Sequence, residues 1–153
     1  MNKIFSSLTI GAVLTALSGV GFGQSSLGGQ SLQGAWNVTV SFDGVPQPIC
    51  TAPSLNTGDG GVIAGGCSLA ESPGYGQWVR VGNGEFAITF VGSTYDAGGA
   101  INGSYKVRAK VKVSNNVQAF SGPFRTDVFD LNGNVVFTTP GTVAATRIVI
   151  ELL

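Results

Sequence analysis

The sequence predicts an all-β protein, a single up-and-down antiparallel β-barrel of about eight strands. Three observations predict it. Gly34-Ala35-Trp36-Asn37-Val38-Thr39-Val40-Ser41-Phe42 puts Trp36, Val38, Val40 and Phe42 on one face and Asn37, Thr39 and Ser41 on the other. That two-residue period marks a half-buried strand. Runs of the same kind recur as far as Val143–Ile150, separated by Gly-, Asn- and Asp-rich turns at regular spacing, the pattern of a sandwich or barrel. Between these two ends no segment carries a convincing helical period. Consecutive hairpins need no long crossover, and pairing the Trp36 strand with the Arg147 strand removes the open edge.

Composition narrows the function. The chain has 153 residues, 24 of them glycine, and charged residues make up 10%. That length supports one domain with one core. Formal net charge is zero, so no overall field recruits nucleic acid. Histidine is absent. The commonest general base and metal ligand is therefore missing, and a Ser-His-Asp triad is impossible. Neither a metal nor a cofactor is expected.

The chain opens on Lys3, a mostly apolar run from Ile4 to Leu17, and small residues at Gly21 and Gly23 before Gln24. This reads as a cleaved signal peptide over residues 1–23. Residues 24–33, rich in Ser, Gly and Gln, read as a flexible leader, and residues 34–153 as the barrel. The apolar run is short for a stable span, so no transmembrane segment is expected after cleavage. The expected location is secreted or periplasmic.

After the first strand, Asp43-Gly44 turns the chain, and Pro46 and Pro48 delay the second strand. Ile49–Leu55 and Gly61–Leu69 form a hairpin around the turn cluster Asn56–Gly61. With its tip at Gly58-Asp59, position i faces position 117 − i, which sets Cys50 opposite Cys67. Facing cysteines on adjacent antiparallel strands can form a bridge, and export favours one. Pro53 and the glycines here argue for an irregular or edge position. Glu71–Gly76 reads as a loop, Gln77–Val81 as a short strand, and Glu85–Val91 as a strand with Phe86, Ile88 and Phe90 on one face. Ser93–Gly99 reads as a connection. Ile101–Val113 is the clearest strand, with Tyr105, Val107, Ala109, Val111 and Val113 opposite Lys106, Arg108, Lys110 and Lys112. Asn115-Asn116 turns the chain into Val117–Phe129. Asp130–Asn134 carries the Asn-Gly hairpin signal. The last strand runs from Val135 to Ile150, with a break expected at Pro140-Gly141.

Gly34-x-Trp36 opening the first strand, with Arg147 late in the last, resembles the lipocalin and wider calycin barrels. That resemblance implies a tryptophan packed at the closed end with the arginine across its ring, a contact that cation–π attraction explains. A Thr-Asp-Tyr-type turn and a preceding helix, both lipocalin hallmarks, are missing, which favours a calycin-like reading. Ser72–Trp78 and Asp130–Asn134 also resemble uncharacterised exported bacterial barrel proteins.

If Trp36 points inward, so do Val40, Phe42, Phe86, Ile88, Phe90, Tyr105, Val107, Phe120 and Phe124, the candidate lumen. An eight-strand barrel either fills with its own side chains or holds one small ligand. The basic row Lys106–Lys112 reads as a solvated outer face that guards against edge pairing. Most acids sit in turns. Asp127 falls on the outer face, and Asp43, at a strand end near the mouth, is the one acid with a weak claim to a site. The leading expectation is non-catalytic binding of a small hydrophobic molecule. One alternative is a barrel isomerase or cyclase similar to allene oxide cyclase or dirigent proteins. The other is a solid-core structural or interaction module.

Overall fold

Eight strands form in chain order: β1 (Gly34–Phe42), β2 (Cys50–Asn56), β3 (Gly61–Ala64), β4 (Gly74–Arg80), β5 (Glu85–Tyr95), β6 (Ile101–Val113), β7 (Ala119–Asp130) and β8 (Val135–Arg147). In this computed structural model, which describes residues 30–152, each strand pairs antiparallel with the next and β8 returns to β1, closing the barrel. There is no helix among the described residues. The predicted signal segment and residues 24–29 of the leader lie outside the described residues.

Barrel closure is set by Trp36↔Arg147 through Phe42↔Gly141. Alternation then sorts the side chains. Trp36, Trp78, Phe86, Val111, Val113 and Phe120 are buried in one cluster, while Asn37, Arg108, Lys110 and Lys112 are on the outside.

The turns at the Trp36 end lie over the filled part of the core. Trp36 meets Phe120 edge-on with ring centroids 4.9 Å apart, and Trp78 meets Phe86 at 5.4 Å. The Arg147 guanidinium lies 4.2 Å from the Trp36 ring centroid. Its Nε donates to the Val117 carbonyl and its Nη1 to the Gln33 carbonyl, both at 2.9 Å. Gly34 has φ +131°, and a Cβ there would collide with Arg147 Nη1. The glycine of the Gly-x-Trp motif is therefore the residue that leaves room for the arginine.

Residues 30–33, read from composition as leader, belong to this closure. Leu32 is fully buried, and its carbonyl accepts the Trp36 indole N–H at 2.9 Å. The Gln30 carbonyl accepts from Arg80, and its side chain donates to the Val113 carbonyl at 3.2 Å. One apolar residue in a polar stretch is a weak sequence signal, but here it plugs the barrel end.

Several boundaries move for local reasons. The β2–β3 register is Ser54↔Ala64, Leu55↔Ile63 and Asn56↔Val62, so the tip is Asp59 and positions pair as i with 118 − i. Thr57 takes the extra residue into the turn: its hydroxyl bonds Asp59 and accepts from the Gly61 N–H at 2.8 Å. The ladder ends at Ala64, and the following loop, not the strand, carries Cys67 back to Cys50. The two are bridged, with Cα atoms 5.6 Å apart. β4 begins three residues earlier than expected, at Gly74, and β5 runs on to Tyr95. Neither proline breaks its strand. The Pro53 carbonyl accepts from Gly65 at 2.7 Å and the Pro140 carbonyl from Asp43 at 3.2 Å. Each missing N–H thus faces a side where the neighbouring ladder has already ended, and β8 is continuous through Pro140-Gly141. The irregularity lies instead between Val128 and Phe129.

Two stability measurements follow. Arg147→Ala removes a cation–π contact and two charge-assisted bonds, and should lower the unfolding free energy by about 2–4 kcal/mol in urea titration. Replacing Cys50 and Cys67 together by serine should lower it by about 2–3 kcal/mol, and intact mass on reduction should rise by two hydrogens.

Candidate functional site

The lumen is filled at the Trp36 end and open towards the other. A cavity of about 130 Å³ runs from Asn56 and Phe120 to Phe42, Cys67 and Glu71 near the mouth. Of the nine residues read from the sequence as lumen, Val40, Phe42, Ile88, Phe90, Tyr105, Val107, Phe120 and Phe124 line this cavity. Phe86 does not. It is fully buried against Trp78, with Arg80 over its ring at 5.0 Å, and belongs to the filled layer. Alternation assigns a side chain to the interior but does not give its height along the barrel axis.

The space exists because small residues share the lining with large ones. Ala52, Ala64 and Ala109 line the same wall as Phe42, Phe90 and Phe124. The large rings pack on one another at the wall: Phe42 meets Phe124 with centroids 5.8 Å apart, and Phe90 meets Tyr105 edge-on at 6.4 Å. Gly92 leaves room for the Tyr105 ring, which a Cβ there would strike. An apolar cavity of about 150 Å³ in another protein is enough to bind benzene.

Four side chains on the wall bring polar atoms: Ser54, Asn56, Glu71 and Thr126. Tyr105 adds a phenol, which donates to the Ser72 carbonyl at 2.8 Å. Burial, with a further contribution from the Glu71 charge, pushes the Tyr105 phenol up from 10.0 to about 12. The Glu71 carboxylate accepts from the Cys67 N–H at 3.1 Å. With the disulfide, these two bonds hold the 65–73 loop across the mouth. Asn56 is 2% exposed, and neither its carboxamide nitrogen nor its oxygen has a hydrogen-bond partner.

The acid on the cavity wall is therefore Glu71, while Asp43 is exposed on the rim. Asp96 and Asp130 serve their own turns, as expected of turn acids. Bonds from Asn134 hold the Asp130 carboxyl below its ordinary value. Asp127 is on the outer face as predicted, yet only 3% exposed. Arg125 Nε at 2.8 Å and Thr138 Oγ1 at 2.7 Å bond one oxygen, and Arg108 pairs with the other. The arginine side chains cover the carboxylate they neutralise. Lys110 pairs with Glu85 at 3.0 Å, so the basic row is partly neutralised. No cluster of His, Cys, Asp and Glu among the described residues could hold a metal.

Sequence reasoning missed Ala52, Ser54 and Asn56. Their own alternation was a usable signal, but it was obscured by Pro53 and by the turn residues that follow. No protein-family model matches the chain, and no curated protein or solved structure matches it.

The Tyr105 phenol gives a pH test. Between about pH 10 and about 12 the unfolded chain has lost this proton and the folded chain has kept it, so stability falls as pH rises through that window. Tyr105→Phe should flatten that slope in urea midpoints measured across the window. At neutral pH it should cost about 0.5–1.5 kcal/mol through the lost Ser72 bond.

Proposed function

We propose that this protein is a non-catalytic binder of a small apolar molecule held in the barrel lumen. The observation that carries this reading is the apolar cavity of about 130 Å³ between the filled end and the mouth. Walls of Val, Ile and Phe supply affinity by removing apolar ligand surface from water, at about 25 cal/mol per Å². Small-molecule sites of this kind combine apolar walls with a few placed polar groups. A cyclase or isomerase would need a cavity acid or base free to meet the substrate; the Tyr105 phenol is engaged with the Ser72 carbonyl and the Glu71 carboxylate with the Cys67 N–H. Export is part of the proposal, supported by the Cys50–Cys67 bridge and by the signal-like residues 1–23. So is a calycin-like kinship, for which the Arg147–Trp36 stack speaks.

One observation favours a second reading, an interaction module. Strand register aligns Leu55, Ile63, Tyr75 and Val91 as a row of exposed apolar side chains across β2 to β5. Exposed rows of this kind mark interaction surfaces when they are contiguous.

The cavity reading is tested with toluene as probe. Calorimetry should show saturable binding to the wild-type protein. Ala109→Leu, which fills the cavity, should abolish binding while keeping or raising the melting temperature. Absence of binding by toluene and by its carbonyl and carboxamide analogues to a folded wild-type protein would refute the reading and leave the exposed row as the better candidate.

A further inference from the structure

The interior of this barrel contains one polar side chain out of keeping with its surroundings. Buried carboxamides are almost always hydrogen-bonded, because an unmade bond in an apolar interior costs more than a made one returns. Among the described residues, the only buried side-chain nitrogen and oxygen without a partner are Nδ2 and Oδ1 of Asn56. Asn56 follows Ala52 and Ser54 on the inward face of β2 and lines the cavity. Val62 is its partner on β3, and Val38, Ile88 and Phe120 share the cavity lining with it; none of these side chains can bond an amide. No turn needs the side chain either: Thr57, Asp59 and Gly61 close the β2–β3 turn among themselves.

A carboxamide presents one acceptor beside one donor pair. The group that satisfies both has a donor beside an acceptor on one edge: a carboxamide, a lactam or a protonated carboxyl. We infer that Asn56 is a ligand-orienting residue, and that the molecule held in the lumen is an apolar body bearing one such amide-type edge, directed inward to Asn56. This rests on the lumen-binding reading above and gives it a substrate class. A site built to bond a polar edge also rejects analogues lacking it, since they leave the buried group unpaired.

The test uses three probes of similar size: toluene, acetophenone and benzamide, with no bonding group, an acceptor alone, and the full edge. Binding is measured by calorimetry to wild type, Asn56→Leu and Asn56→Ser. In wild type, benzamide should bind tightest. Its preference over toluene should fall about tenfold in Asn56→Leu, the value of two neutral hydrogen bonds, and acetophenone should fall between. Amide proton resonances of Asn56 should shift with benzamide and not with toluene. If toluene binds and benzamide is no better in wild type, or its advantage survives in Asn56→Leu, the inference is wrong while the lumen reading stands. An ordered water serving the amide would give that result. If no probe binds the folded wild-type protein, both fall. Asn56→Ser, which keeps a polar group but is too short to offer the paired donor and acceptor, keeps the comparison available should the leucine variant fold poorly.

Discussion

Arg147 is the point on which the closure of this barrel depends. A sheet of eight strands must bring its last strand back to its first, and the end of the cylinder must be stopped against water. One guanidinium serves both needs. It lies over the Trp36 ring and binds the carbonyls of Gln33 and Val117. These groups come from the entry segment, β1, the β6–β7 turn and β8. Guanidinium suits the position because it is planar, stacks on an aromatic face and carries its donors in a fixed fork. Gly34 has no Cβ because the arginine occupies that space. Val117 takes φ 57°, unusual for a β-branched residue, and its carbonyl is the one that meets Arg147 Nε.

With one end stopped, the packing of the rest divides by height. Below, two tryptophans, Phe86, Leu32 and Phe120 fill the cross-section. Above, alanines share the wall with phenylalanines and the cross-section is not filled. The mouth is held by different means: the disulfide, the Glu71–Cys67 bond and the Tyr105–Ser72 bond all act on the 65–73 loop. That loop joins β3 to β4, and the two ladders β3 makes, with β2 and with β4, are short. The covalent and polar ties therefore fall where the sheet itself is weakest. Any opening of the lumen is expected to involve this side of the barrel, since local stability follows the density of paired backbone and buried contacts.

The outer surface shows how charge behaves on a closed sheet. Row by row, Lys106↔Asp127↔Thr138 and Arg108↔Arg125 stand opposite one another on β6, β7 and β8. Asp127 relieves the two arginines of facing each other alone, and their side chains remove it from solvent. A carboxylate on a strand's outer face can thus be as buried as a core residue without entering the core.

The sequence alone determined that the chain is built of strands and, for β1, β5, β6 and β7, which face of each turns inward. A two-residue period is a local property, so Ile101–Val113 could be placed to the residue, and the inward set of β1, β5, β6 and β7 followed from it. Two cysteines across a turn were enough to expect the bridge. Only the tertiary structure decided heights and depths. Whether Phe86 fills the base or lines the cavity, whether Leu32 is a leader residue or a plug, and whether Asp127 is wet all depend on side chains from strands distant in sequence. The cavity itself is such a quantity: it is the space left where Ala52, Ala64 and Ala109 share the lining with rings from β1, β5 and β7. Asn56 makes the same point most sharply. Locally it is a turn-forming residue at the end of a strand, and only the closed barrel turns its carboxamide into an unpaired group in an apolar chamber.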